Sequence, residues 1–297
     1  MNNRLEQRGA SKTLGRVYMF LIYFFLYLPI FVLIVFSFNS SNSRTIWSGF
    51  SLKWYAELFE DSVIMSALYT TLTVSILSTI IATVMGTAAA IGFYNTKGKL
   101  KKYLITINNI PLTNADIVTG VSLCLLFVAM FSVLGNFTGW LNSHLGTDLP
   151  TSFHLGFGTL LIAHLTFNIP YVILSVMPKL QQSDHNLIDA ALDLGCTPMS
   201  AIWKVLLPEI MPGVVNGALI AFTMSIDDFV ISYFTAGSTT QTLAMAIYSM
   251  TKKRVTPKIN ALSTLLFTTV LILLIIVNVR SMRQENAAKA KRKENAK

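Results

Sequence analysis

Six long apolar stretches divide the chain, at Val17–Phe38, Ser66–Phe93, Leu104–Leu134, Phe157–Leu180, Pro212–Ala236 and Ile259–Val279. Each holds at least the ~20 residues that a helix needs to cross ~30 Å of hydrocarbon. No segment reads convincingly as a strand, so the pattern predicts an all-α membrane protein with six transmembrane helices. The third stretch departs from the others, because Asn108, Asn109, Pro111, Asn114 and Asp116 crowd its first half. It is expected to form one kinked or broken helix. The pattern divides into a polar tail at 1–16, a first transmembrane helix at 17–38, a membrane core at 66–279 and a basic tail at 280–297.

The polar segment between the fourth and fifth stretches, residues 181–211, carries its own start and stop signals. Asp189-Ala190-Ala191-Leu192-Asp193-Leu194 reads as helix, and Gly195 suits the left-handed position after a helix end. Thr197 followed by Pro198 reads as an N-cap and the first turn of a second helix, which runs on to Val205, Leu207 and Pro208. A compact, small-faced helical hairpin outside the membrane offers a surface for another protein to grip.

Composition sharpens the class. Only 12% of the 297 residues are charged and 53% are hydrophobic, against ~25% charged in soluble domains. Placing both termini in the cytoplasm puts 17 of the 23 Lys and Arg inside and 6 outside, with Lys179 counted at the inner end of the fourth span. The outer loop with Lys252, Lys253, Arg254 and Lys258 opposes that orientation and is outvoted. The net charge of +9 is therefore a signal of topology and of the lipid surface, and no basic helix supports nucleic-acid binding. The first span is too long for a cleavable signal and no Ala-x-Ala site follows, so it is expected to remain as an anchor. The tail from Arg280 is expected to be solvated, disordered at its end, and able to touch anionic lipid.

Catalytic chemistry has no foothold. Gly98-Lys99 is followed by Leu100, so there is no phosphate-binding loop, and any ATP and Mg would be bound by a separate chain. Cys124 and Cys196 lie in different compartments, and the four histidines lack ligand spacing, so neither a disulfide nor a metal site is expected.

Carboxylates do stand inside the membrane, at Asp116 and in the run Ser225-Ile226-Asp227-Asp228. An Asp at the bilayer centre costs about 2.5–3.5 kcal/mol on insertion scales, so such residues face a bundle interior or water. On one continuous helix, Asp227 and Asp228 would point about 100° apart, one toward a pathway and one toward a neighbouring helix. With no Lys or Arg deep in any span, the acids favour a cationic substrate. The alternatives are structural: Asp116 as the cap of a broken third helix, and Asp227 or Asp228 as a protonated packing group.

The hairpin resembles the EAA loop of ABC importer permeases, with Asp189 for the Glu, Val205 for the Ile, and Ala190, Ala191, Gly195, Leu207 and Pro208 in register. The run from Ser225 to Phe234, then Ala246-Ile247-Tyr248-Ser249-Met250 and Asn260-Ala261-Leu262, resembles the spermidine/putrescine branch of that family. The resemblance implies the type I importer permease fold and a substrate pathway at Asp116, Ser225, Asp227 and Asp228. It also places Trp47 near the outer mouth, where an aromatic face suits an alkylammonium cation or anchors the interface. It further implies a sister permease subunit, two ATPase subunits docked on the hairpins, and an extracytoplasmic polyamine-binding protein. Two rivals remain at this stage: an ABC permease for another solute, and a secondary cation transporter, against which the lack of an internal repeat argues.

Overall fold

The computed structural model describes residues 2–42, 46–184, 186–253 and 256–294. Among the described residues the regular elements are all helices, with one isolated bridge between Asn39 and Phe50. In order the helices are α1 (Asn2–Ser37), α2 (Lys53–Glu60), α3 (Ser62–Asn95), α4 (Gly98–Thr113), α5 (Asp116–Leu145) and α6 (Phe157–Gln182). There follow α7 (Asn186–Asp193), α8 (Pro198–Ala201), a π-helical turn (Ile202–Leu206), α9 (Leu207–Asp227), α10 (Val230–Thr235), α11 (Leu243–Lys253) and α12 (Pro257–Glu294). Among the described residues six segments are long and apolar enough to cross a membrane, namely Gly15–Ser37, Ser62–Asn95, Asp116–Leu145, Phe157–Gln182, Pro198–Asp227 and Pro257–Ile276.

Two of the expected spans are not continuous helices. The polar run that crowds the third forms the end of α4, which stops at Asn114 in extended conformation (φ −83°, ψ 148°). Pro111 lacks an N–H for the ladder, and the extended Asn114 and Ala115 let a new helix start. The apolar helix α5 therefore begins at Asp116 and runs well past Leu134, to Leu145. Ala115 holds the cap position, and Asp116 is the first helical residue, where a negative charge suits the helix dipole. The fifth span breaks in the same manner after Asp227. Asp228 is extended (φ −62°, ψ 123°), and the short helix α10 completes the run. The geometry of Asp227 and Asp228 is thus set by a chain break, not by the turn of one helix.

The basic tail is helical as far as Glu294, where α12 ends. Residues 295–297, where the disordered end was expected, lie outside the described residues, as do the side chains of 283–297 on which lipid contact would rest. Arg254, one of the four basic residues expected in the opposing outer loop, lies outside them as well.

The chain divides into two units. The first comprises the residues up to Ser62 together with Ile247–Phe267. Its irregular segment after α1 is organised by Asn39, whose amide donates to Ile46 O (2.9 Å) and accepts from Ser48 N (2.9 Å). The Asn39 carbonyl accepts the indole N–H of Trp54 at 2.6 Å. Buried polar groups in this turn are thereby matched within a few residues of one another.

The second unit, Val63–Ala246 with the chain from Thr268 onward, holds the main core. Val172, Ile173, Val176 and Leu180 of α6 pack with Ile210, Val214 and Ala221 of α9 and with Ala90 of α3. The approach of α9 to α6 is close enough to demand glycine. A β-carbon at Gly213 would lie 2.9 Å from Ser175 O, and one at Gly217 would lie 3.1 Å from Val172 Cα. α6 buries its Val172, Ile173, Val176 and Leu180 face against these partners and leaves Ile162 and Leu174 exposed, apolar positions that suit a lipid-facing side.

Candidate functional site

The two chain breaks meet at one cavity. It has a volume of about 300 Å³ and is lined by Pro111 and Leu112 of α4, Asp116 and Thr119 of α5, Phe167 and Tyr171 of α6, Met224 and Asp227 of α9, and Asp228 to Ile231. Phe167 and Tyr171 lie near the midpoint of α6, which spans Phe157–Gln182, so the cavity sits at mid-span depth. Irregular backbone is tolerated at that depth only where it is buried in protein or lines a cavity. The breaks in the third and fifth spans satisfy that condition. They bring Asp116, Asp227 and Asp228, distant in sequence, to one wall-to-wall space with the aromatic rings of Phe167, Tyr171 and Phe229.

The two adjacent carboxylates have different surroundings. Asp227 is exposed in this chain. The side chain of Asp228 is only 10% exposed and, from the position before the N-cap residue Phe229, its carboxylate caps the first turn of α10. Its Oδ1 accepts from Ile231 N at 3.3 Å, and its Oδ2 accepts from Ser232 N at 2.8 Å and from the Ser232 hydroxyl at 2.7 Å. These are the orphan donors of a helix start, which an aspartate caps well. Ser225 lies behind the cavity rather than on its wall. It is 2% exposed, and its hydroxyl is 2.6 Å from His164 Nδ1 and 3.2 Å from Ser78 Oγ. His164 itself is 1% exposed, and its Nε2 lies 3.0 Å from Ser232 Oγ. Sequence reasoning passed over His164 by counting histidines only for metal spacing. The available signal was an ionisable residue inside an apolar span. Trp47 belongs to the first unit, is 46% exposed, and stands edge-on to Phe36 with ring centroids 6.4 Å apart.

The hairpin is built as its residues predict. α7 closes with Gly195 at φ +84°, Cys196 N donating to Ala191 O (3.1 Å) and Gly195 N to Leu192 O (2.9 Å), the paired bonds of a Schellman motif. Thr197 caps α8 by accepting from Ser200 N at 3.4 Å, with Pro198 in the first turn. The π turn before Pro208 has a local cause. Proline has no N–H and crowds the preceding turn, so the ladder widens and Leu207 N reaches Ile202 O. Ala191 is buried, Asp189, Ala190, Gly195 and Pro208 are exposed, and Val205 and Leu207 are half-buried. Around them stand large exposed apolar side chains, of which Leu194 (87%), Met199 (64%) and Trp203 (63%) are the most exposed. The sequence pattern had not singled these out, because periodicity alone does not separate an outward apolar residue from an inward one. Among the described residues, no three His, Cys, Asp or Glu side chains are placed to hold a metal ion.

This combination defines the membrane-spanning subunit of an ABC importer. The fold matches the bacterial ABC transporter that imports alginate, with TM-score 0.62 and 18% identity over 91% of this chain and 95% of that one. It also matches the MetNI methionine transporter at TM-score 0.51 and 21% identity, covering 77% of this chain and 98% of that one. Residues 82–284 match the binding-protein-dependent transport system inner membrane component, and the chain belongs to that family. It is a multi-pass membrane protein. Among curated relatives, the putrescine transport system permease protein PotI of Escherichia coli K12 is 38% identical over 248 residues, covering 82% of this chain and 81% of the relative. The spermidine/putrescine permease PotC of Haemophilus influenzae is 34% identical over 263 residues, covering 89% of this chain and 94% of the relative.

Proposed function

We propose that the chain is one half of the translocation pathway of an ATP-driven polyamine importer. The observation that carries this reading is the mid-span cavity in which three carboxylates converge with aromatic rings. An aliphatic ammonium ion is matched by both features, the charge by carboxylates and the alkyl chain and cation by ring faces. The resemblance of the chain to putrescine and spermidine permeases supports the same substrate class.

A sister permease subunit supplies the other half of the pathway, and an extracytoplasmic binding protein delivers the polyamine. Two ATPase subunits bind ATP and Mg, one docking on the hairpin around Gly195 of this chain and one on the sister subunit. Both termini lie in the cytoplasm, on the side of the hairpin. Nucleotide binding must favour one state of the spans by about 5.5 kcal/mol to invert a strongly one-sided population. This chain performs no covalent step. It converts movement of the hairpin into exposure of the cavity to one side of the membrane or the other.

The test is uptake of labelled putrescine and spermidine by the assembled complex in liposomes, with ATP inside and binding protein outside. Saturable uptake that requires ATP and is competed by both amines supports the reading. Uptake driven by a proton gradient without ATP, or no uptake of either amine by an assembled complex, would overturn it.

A further inference from the structure

His164 is the most buried ionisable side chain of the fourth span, and it stands behind the cavity wall without lining it, its Nε2 3.7 Å from Asp228 Oδ2. It does touch both sides of the break in the fifth span. Ser225 precedes that break in α9 and Ser232 follows it in α10, and the imidazole holds one with each ring nitrogen, at 2.6 Å and 3.0 Å.

The directions of these bonds can be read from the carboxylate outward. Asp228 Oδ2 accepts the Ser232 hydroxyl proton at 2.7 Å. Ser232 Oγ has then spent its only proton and can only accept, so the nitrogen 3.0 Å away must donate, which makes it Nε2–H. A neutral imidazole with its proton on Nε2 has an acceptor at Nδ1, and the Ser225 hydroxyl donates to it at 2.6 Å. Ser225 Oγ keeps lone pairs that face Ser78 Oγ at 3.2 Å, and Ser78 Oγ in turn accepts from Asn168 Nδ2 at 3.1 Å. The bonds from Ser225 through His164 and Ser232 therefore all point one way and end on Asp228. Hydrogen bonds aligned head to tail in a low-dielectric interior strengthen one another.

We propose that His164 is the positioning residue of the acidic cavity: a one-directional hydrogen-bond relay from Ser225 through His164 and Ser232 fixes Asp228 as the cap of α10, leaving Asp227 as the fifth-span carboxylate that meets the cation. Three features make the division of labour physical. Asp228 already accepts three hydrogen bonds, so both of its oxygens are engaged. Asp227 is exposed beside it and lines the same cavity. The relay is anchored in α6, whose Thr159 also holds the end of α10 by donating to Thr235 O at 2.7 Å. The position of α10, and with it the cavity wall from Asp228 to Ile231, is thus set by α6 across the break.

The assignment of the cation rests on the polyamine reading, whereas the direction of the relay does not, and two measurements separate them. The first is the tautomer of His164 by nitrogen-15 NMR of the assembled complex in lipid, where the chain contributes only four histidines and His164→Gln identifies the resonance. Nε2–H with a bare Nδ1 is expected, and Nδ1–H or a doubly protonated ring would overturn the relay. The second is putrescine uptake per assembled complex. His164→Gln keeps a donor where Nε2–H stands and should hold the apparent KM within roughly threefold, whereas His164→Asn and His164→Ala should raise it about tenfold, the scale of one lost hydrogen bond to a charged system. Loss of maximal rate at unchanged KM, or equal effects of Gln and Asn, would overturn the positioning role. In double variants, His164→Ala should add nothing to Asp228→Asn and should add fully to Asp227→Asn; the opposite pattern would reverse the roles of the two acids. If wild-type complex took up no amine, the functional reading would fall and the tautomer would still decide the relay.

Discussion

Lys258 Nζ lies 2.6 Å from Asp61 Oδ2, with both side chains about a quarter exposed, 24% and 23%. Lys258 is one of the four basic residues whose place in an outer loop opposed the charge-based orientation. Its partner Asp61 offsets its charge, whereas Lys252, 4.9 Å from the Tyr248 ring centroid, keeps its own. The basic count of that loop therefore overstates its free positive charge.

That ion pair ties the start of α12 to the end of α2 within one unit. It should contribute between the ~1 kcal/mol of an exposed pair and the ~3–5 kcal/mol lost when a buried one is broken. Lys258→Met should lower the melting temperature of the detergent-solubilised complex by a few degrees, and the exchange Lys258→Asp with Asp61→Lys should recover most of it. A Lys258→Met complex that melts with wild type would show the pair to be energetically idle.

Gly195 gives a graded test of the hairpin. No atom lies within 4 Å of the position a β-carbon would take there, so the cost of substitution is backbone strain alone. Asn tolerates φ +84° best, Ala costs about 1 kcal/mol, and a β-branched Val costs more. Copurification of the ATPase should fall in the order Gly, Asn, Ala, Val while the chain remains in the membrane. Full retention of the ATPase by Gly195→Val would remove this turn from the docking surface.

How much of this was legible in the sequence depends on the range of the interaction. Gly195, Thr197 and Pro198 act on neighbours within a turn, so the hairpin could be read residue by residue. The six spans were legible because bilayer thickness imposes a length that apolar runs must meet. A kink or break in the third span was legible in its polar run, but whether Asn114 ends the helix or merely kinks it is decided by what fills the space opposite, here the far-off residues Phe167 and Tyr171. The break after Asp227 left no such mark. Asp227 and Asp228 were flagged by composition. Their different surroundings depend on Ser232 and on the distant His164, whose 61-residue separation from Ser225 leaves no local pattern.

Leu194, Met199 and Trp203 are the most exposed large apolar side chains of the hairpin. A buried aromatic anchor commonly carries ~2 kcal/mol or more of an interface. Trp203→Ser should therefore weaken retention of the ATPase about thirtyfold, with Met199→Ser and Leu194→Ser weaker in effect. Stability of the isolated chain should change little, because these side chains already face outward. Normal ATPase retention in the triple variant would place the dock elsewhere on the chain.

Orientation can be checked directly in a background lacking Cys124 and Cys196. A cysteine at Gly195, in the hairpin, and one at Ser238, after α10, should react with impermeant maleimide from opposite faces of oriented vesicles. A cysteine in the N-terminal tail should label with the hairpin. Labelling of Gly195 and Ser238 from the same face would refute six alternating spans.

The two adjacent acids of the fifth span should respond in opposite order to the same substitutions. At Asp227 the side chain is exposed to the cavity, and its charge is what a cation meets. Asp227→Glu keeps the charge at the cost of one extra methylene, so it should retain more putrescine uptake than Asp227→Asn. At Asp228 the carboxylate reaches two backbone N–H groups and one hydroxyl of α10 at 2.7–3.3 Å. Asn keeps the length of that arm and one oxygen acceptor, whereas Glu overreaches a cap whose space is already filled. Asp228→Asn should therefore retain more uptake than Asp228→Glu, with the Glu variant also assembling less well. Uptake per assembled complex decides between readings. If Asn exceeded Glu at both positions, neither acid would meet a cation. If Glu exceeded Asn at both, Asp228 would serve as a second cation contact and its role as a cap would be secondary.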